Sequence, residues 1–308
     1  MSGTINTGKL PRLLLEGLRN TFGQTYKEHA VEWDKLMDTM QSKKAYEKDQ
    51  MVEGFSPAGL KSQGGSIEFD TMAQGYAPEY WNKTYAKGFI VTREMLEDEL
   101  YGVLNKRARA LAFSMRQAQE ITAANIYNRA FDTNYTMTNG DGKPLLATDH
   151  PLGPTSGGTF SNKLSVGADL SEAAIEDLLI QIGNTVDSRG NKIQIMPERL
   201  IVPYDLMFEA TRILKSTLQN DTANNAINAI KETGAFQKGM LASHYFTSPD
   251  SWFIKTNCPQ GLQRFIRRGV EFREDNEFTT ENARMKTTSR WSDGWSDPRG
   301  LFGSEGTA

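Results

Sequence analysis

The sequence predicts an α+β fold. Three stretches carry that prediction: a long amphipathic run without proline over residues 93–131, an alternation of strand-like and helix-like segments over 170–257, and an all-β ending over 258–308. A chain of 308 residues has room for roughly two compact units at about 150 residues each.

Composition narrows the field of functions. Hydrophobic residues make up 38% of the chain, enough for a core, and the formal net charge is −3. A protein built mainly to grip nucleic acid carries a basic stripe; here residues 1–50 hold eight Lys/Arg against seven Asp/Glu. The single cysteine, Cys258, rules out a disulfide framework within the chain and points to a reducing compartment. No apolar run reaches the roughly 18 residues that span a bilayer. The N-terminus has only the short piece "LLLEGL" and lacks the apolar region of a secretory signal. A soluble protein made inside the cell is expected.

Residues 1–45 read as an arm. Pro11 suits a first helical turn, and Leu13, Leu14, Leu18, Phe22 and Tyr26 recur at three- and four-residue steps. Such a stripe must bury against something, in this chain or in another. Residues 46–92 change character. Ser56–Gly65 is rich in turn formers, Ile67 and Phe69 alternate with polar neighbours, and "WNKTYAKGFIVT" offers a returning strand. A two-stranded ribbon of this kind has no core of its own and needs a neighbour.

Thr92 is the expected N-cap of the long helix, and Glu94, Glu97, Asp98 and Glu99 crowd its first turns, where the helix dipole favours anions. Unbroken over 93–131, it would run about 55–60 Å. Asn139-Gly140 and Asp141-Gly142 then mark turns, and Pro144, Pro151 and Pro154 block helix, so 139–158 is a long structured loop. Beyond it, a helix starts near Ser171, "ERLIVP" is a strand, "YDLMFEATRILKST" a helix and "DSWFIKT" a strand, which predicts a sheet covered by helices. "LQRFIRRGVEFRED" and "NARMKTTSRWSDGWSD" predict an antiparallel pair packed on the long helix, with Trp291 and Trp295 as its anchors.

The chemical motifs fail on context. Gly3–Lys9 imitates a P-loop, but Leu10 stands where a magnesium-binding hydroxyl belongs and no strand precedes it. Asp132–Thr136 resembles the start of a calcium loop, yet Met137 and Lys143 occupy its essential glycine and glutamate positions. His29, His150 and His244 stand apart, without the clustering a zinc site needs. Cys258 has no nucleophile signature around it. Asp149 beside His150 invites a catalytic reading, with a turn-building role as the alternative. The sequence therefore assigns no catalytic residue, no metal and no cofactor.

The order of the segments resembles the major capsid proteins of tailed bacteriophages, the Hong Kong 97-type fold, and within them the Mu-like phage major head subunits. "GYAPEYWNKTYAKGFIVTREMLEDELYG" (Gly75–Gly102), "NGDGKPLLATDHP" (Asn139–Pro151) and "RWSDGWSDPRGLFGS" (Arg290–Ser304) carry the resemblance. It implies an N-terminal arm over 1–45 and an extended loop, a β-hairpin, over 46–92. It implies a peripheral domain over 93–168 with a spine helix, closed by β structure over 258–308, and an axial α/β domain over 169–257. It implies a structural head protein that assembles into pentamers and hexamers of an icosahedral shell, enclosing double-stranded DNA that it holds weakly. Portal, scaffold and decoration proteins would be its other partners, with no membrane. The protein would be made in the bacterial host cytoplasm and end in the virion. Some relatives form Lys–Asn crosslinks; Lys61 and Lys83 lie in the loop region, but nothing supplies a matching pattern. The expected assembly contacts are Leu13, Leu14, Leu18 and Phe22 in the arm, Leu60, Lys61, Ile67, Phe69 and Trp81 in the loop, and Asn220 and Asn224 in the α/β unit. An encapsulin-like compartment shell is the alternative, and a hydrolase using Asp149 and His150 a third reading.

Overall fold

A computed structural model describes residues 10–71, 74–98, 102–154, 157–218, 227–277 and 282–307; side chains at 10–15, 96, 97 and 276 are outside the description. In chain order the elements are helix α1 (Leu10–Glu28), α2 (Trp33–Leu36), strands β1 (Asp38–Gln41), β2 (Tyr46–Lys48), β3 (Glu79–Trp81) and β4 (Lys83–Val91), then α3 (Arg93–Glu97) and α4 (Val103–Asn128). The short strands β5 (His150–Pro151) and β6 (Thr159–Phe160) follow, then α5 (Glu172–Gly183), β7 (Pro197–Pro203), α6 (Met207–Lys215), α7 (Ala229–Thr233), β8 (Met240–Ser243) and β9 (Trp252–Thr256). The chain closes with β10 (Leu262–Asn276), β11 (Ala283–Trp295) and β12 (Leu301–Ser304).

The long helix is shorter than its pattern predicts. Thr92 does cap α3, its hydroxyl accepting the Met95 N–H at 3.4 Å. The helical run then ends at Asp98 and restarts after Gly102, whose φ of 63° lies in the left-handed region that glycine enters at least cost. The 26 residues of α4 span about 39 Å at 1.5 Å each. A left-handed glycine stands at the restart, and the absence of proline does not keep the helix continuous.

α4 lies on a mixed four-stranded sheet ordered β1-β10-β11-β4. β10 and β11 form the expected antiparallel hairpin, with register shifts between Ile266 and Glu271. β4 adds to β11 antiparallel and β1 to β10 parallel. Along β11, Ala283, Met285, Thr287, Ser289 and Trp291 are buried at every second position, the period of a half-buried strand. Leu104 and Ala108 of α4 pack with Val91, Ala283 and Met285. Across the sheet Tyr85 stacks on Trp291, ring centroids 3.9 Å apart. Trp291 and Trp295 are thus buried hairpin anchors.

A second four-stranded sheet is ordered β12-β9-β7-β8, with β7 and β8 parallel and the other pairs antiparallel. Ser171 caps α5 as its position predicts, accepting the Ala174 N–H at 3.2 Å. One face of the sheet meets Ile175, Leu178 and Ile182 of α5 and Ile213 of α6; Leu200, Val202, Trp252, Ile254 and Phe302 face them. The other face, through Ile201, Phe253 and Leu301, joins Tyr127, Leu145, Leu146, Leu262 and Trp295 in a core shared with the end of α4. β12 places the last stretch of the chain in this sheet, so the closing segment serves both units. Asn162, fully buried, links them: its amide donates to the carbonyls of Leu145, Pro298 and Leu301 at 2.7–3.1 Å, and its oxygen accepts the Ala147 N–H.

Candidate assembly surface

The arm and the loop, read alike from the sequence, part company in the structure. α1 packs along α4. Leu18 (1% exposed) sits over Leu104 and Ala108, and Phe22 (5% exposed) over Leu111 and Ala112. The small alanines let the two helices close together. Arg116 finishes the joint: its guanidinium donates to the Tyr26 carbonyl at 2.9 Å, near the helix C-terminus where carbonyls lack partners, and lies 4.0 Å from the Tyr26 ring centroid. The Tyr26 hydroxyl donates to Gln119 at 2.6 Å, and burial pushes its pKa up. Leu18 and Phe22 therefore serve an interface inside the chain, where burial leaves them little surface to offer a neighbour. The Leu13 and Leu14 side chains and residues Asn220 and Asn224 lie outside the description.

The loop does the opposite. Residues 54–71 form no strand, so the ribbon strand expected at Ile67–Phe69 is not made, and the returning strand pairs with β11 instead. Phe55, Leu60, Ile67 and Phe69 are all exposed, Phe69 at 91%. Lys61 is exposed beside Leu60. Trp81, at the edge of the β2–β3 pair, is half exposed and stacks on Tyr46 at 4.8 Å. Isolated exposed apolar side chains are ordinary on a folded protein; four on one stretch that lacks a core are not.

The stretch is held at its root and its neck. Residues 49–53 and 74–78 run antiparallel: the Asp49 N–H donates to Pro78, Met51 to Tyr76 and Gly75 to Met51, with a bridge between Val52 and Gln74. One step further out, Asp70 accepts the Ser56 N–H at 2.9 Å, the Thr71 N–H at 2.8 Å and Arg189 at 2.6 Å. Those N–H donors and the guanidinium hold its carboxyl well below the usual carboxylate range.

The catalytic reading of the Asp149–His150 pair fails on geometry. Asp149 is exposed and takes Lys143, whose ammonium lowers its pKa. His150 is fully buried, stacks on Phe160 and bonds Asp141 at 2.5 Å through Nδ1. The two side chains serve different partners, and 139–154 is the turn-rich stretch its residues predict, with Asn139 and Gly142 at positive φ. Cys258 is buried, and desolvation with the nearby Asp297 pushes its thiol pKa far up, the reverse of what a nucleophile needs. Among the described residues no group of three His, Cys, Asp or Glu could hold a metal ion, and no helix is long and apolar enough to cross a membrane. The P-loop-like Gly3–Lys9 lies outside the description.

Residues 83–303 match the family described as phage capsid protein, and the chain belongs to that family. Its fold is similar to that of the virus-like particle from Pyrococcus furiosus, with a TM-score of 0.54 at 13% identity over 94% of this chain and 98% of that one. The capsid of the native GTA particle gives a TM-score of 0.56 at 10% identity over 91% and 93% of the two chains. The procapsid of bacteriophage JBD30 gives 0.53 at 14% identity over 98% and 77%. At such identities the likeness is one of fold. No curated protein sequence matches the chain. The protein is a structural capsid component with the phage capsid fold, and the virion is its place.

Proposed function

We propose that this chain is a major head subunit that builds pentamers and hexamers of an icosahedral shell around double-stranded phage DNA. The exposed, core-less stretch 54–71 is the observation that carries the proposal. Its apolar side chains gain burial only against another molecule, and a shell supplies that molecule at every position by symmetry. On this reading residues 46–92 act as the extended loop over an adjacent subunit through Leu60, Lys61, Ile67, Phe69 and Trp81. Residues 1–45 form the arm, with Leu13 and Leu14 as its remaining candidate contacts. The α/β unit over 169–257 gathers around the shell axes through Asn220 and Asn224, and 93–168 with 258–308 forms the outer, peripheral part. The protein catalyses nothing, is made in the host cytoplasm, and meets portal, scaffold and decoration proteins as partners. The balanced charge supports a wall that encloses DNA without gripping it.

Electron microscopy of the purified protein, alone and coexpressed with the gene products encoded beside it, is the test. Closed particles, or rings of five and six, are expected. A chain that stays monomeric at high concentration under every such condition overturns the proposal. Particle contents separate this reading from a compartment shell: packaged DNA supports a phage head, an enclosed enzyme the alternative.

A further inference from the structure

Arg189 occupies a position that the assembly reading leaves unexplained. It sits on a tight turn after α5, 119 residues along the chain from Asp70. One guanidinium nitrogen donates to Asp70 Oδ2 at 2.6 Å and to the Ser56 hydroxyl at 3.0 Å; the other donates to the Thr71 carbonyl. Ser56 belongs to the outgoing arm of the loop and Thr71 to the returning arm. Asp70 already joins the two arms by accepting the Ser56 N–H; Arg189 reinforces that closure and is the side chain that ties the neck to the α/β unit.

The turn that presents Arg189 is rigid. Asp187 Oδ1 accepts the backbone N–H groups of Arg189 and Asn191, each at 2.8 Å, and its other oxygen accepts the Asn191 amide. Gly190 supplies the positive φ of 84° that this turn demands. Beneath it, the buried Arg299 donates to the Val186 carbonyl at 3.1 Å while paired with Asp297. Asp187, the acid nearest to Arg189 along the chain, is thereby committed to the turn, and Asp70 is the carboxylate that the guanidinium meets.

The mechanics follow from the number of attachments. The antiparallel root at 49–53 and 74–78 fixes an axis, but one attachment of this kind permits rotation. The guanidinium supplies a second attachment away from that axis. Beyond it, the backbone of 57–69 makes a local turn, Gly65 N–H to Ser62. We propose that Arg189 is a latch: it sets the direction in which residues 57–69 leave the body, and its release from Asp70 lets them swing about the root. The pair is partly exposed, with side-chain accessibilities of 21% and 33%. Pairs of this exposure are weak and screened by salt, which suits a contact that must open. The partner that the swung segment then meets rests on the proposed function; the latch itself does not.

The test is made on the full chain, diluted until unassembled, with spin labels at Lys61→Cys and Glu209→Cys and the buried Cys258 left in place. Electron–electron distance measurements on the otherwise unchanged chain should give one narrow distribution. Arg189→Ala should widen it about twofold or more and speed amide exchange at Ser56 and Thr71 about five- to tenfold, with the melting curve of the body unchanged. Arg189→Lys should recover only part of the narrowing, because one ammonium cannot reach Asp70, Ser56 and Thr71 in the fork geometry. Asp70→Asn breaks the contact from the loop's side and should also widen the distribution. Distributions as narrow as the parent's in both Arg189→Ala and Asp70→Asn overturn the latch. A parent chain that never forms particles overturns the assembly reading and leaves the latch standing if the widening is seen.

Discussion

α1 and the stretch 54–71 are both poor in private core, and both carry large apolar side chains. One is packed at home and the other is not. α1 repeats its apolar residues at helical spacing, and α4 answers with a stripe of the same period, Leu104, Ala108, Leu111 and Ala112. Two matched stripes bury each other. The loop scatters Phe55, Leu60, Ile67 and Phe69 among glycine, serine and charge, and among the described residues no element covers them. Lack of a private core therefore does not by itself send a segment to a neighbour. What decides is whether a complementary surface lies within reach of the same chain.

The largest expected effect comes from breaking the domestic side of this comparison. Phe22→Ala removes a ring packed 5.0 Å from Phe272 and should cost about 3–5 kcal/mol. Amide exchange should show it first as lost protection in α1. Arg116→Met should come next, at about 1.5–3 kcal/mol, through the lost charged hydrogen bond to the Tyr26 carbonyl, measured by denaturant unfolding. Phe69→Ser should change the stability of the isolated chain by less than about 0.5 kcal/mol, yet lower particle yield in electron micrographs. Equal destabilisation by Phe22→Ala and Phe69→Ser would abolish the contrast. The smallest effect is one of pH. Asp70 has a folded-state pKa below its unfolded value, so its contribution is present above the unfolded pKa and is lost only as pH falls through the folded one. Its carboxyl carbon resonance should keep the ionised shift down to about pH 3, below the ordinary aspartate value. Titration near pH 4 would show that the neck is open in solution.

Much of the fold was legible because its signals are local. Thr92 and Ser171 cap helices wherever they stand before a helical run, and the period-2 pattern of β11 needs only one buried face to take effect. The break at Gly102 carries only a weak sequence signal, since glycine inside an amphipathic run is often tolerated. The candidate site was less legible. Leu60, Lys61, Ile67, Phe69 and Trp81 are exposed, whereas Leu18 and Phe22 follow an apolar pattern of the same kind and face inward. Arg189, Arg264 and Asn162 gave no signal. Arg264 is buried between the Trp33 and Trp291 rings and paired with Asp293 at 2.5–2.7 Å, yet in the sequence it is one arginine among several in a strand.

The sequence by itself determined the caps at Thr92 and Ser171, the β10–β11 pair and the turn-rich course of 139–154, because these depend on neighbours a few residues apart. Tertiary structure alone decided that α1 stays home, that β12 joins the second sheet, and that Arg189 meets Asp70. Each of those outcomes rests on two surfaces far apart in the chain being complementary, and complementarity is a property of the pair that neither stretch reveals alone.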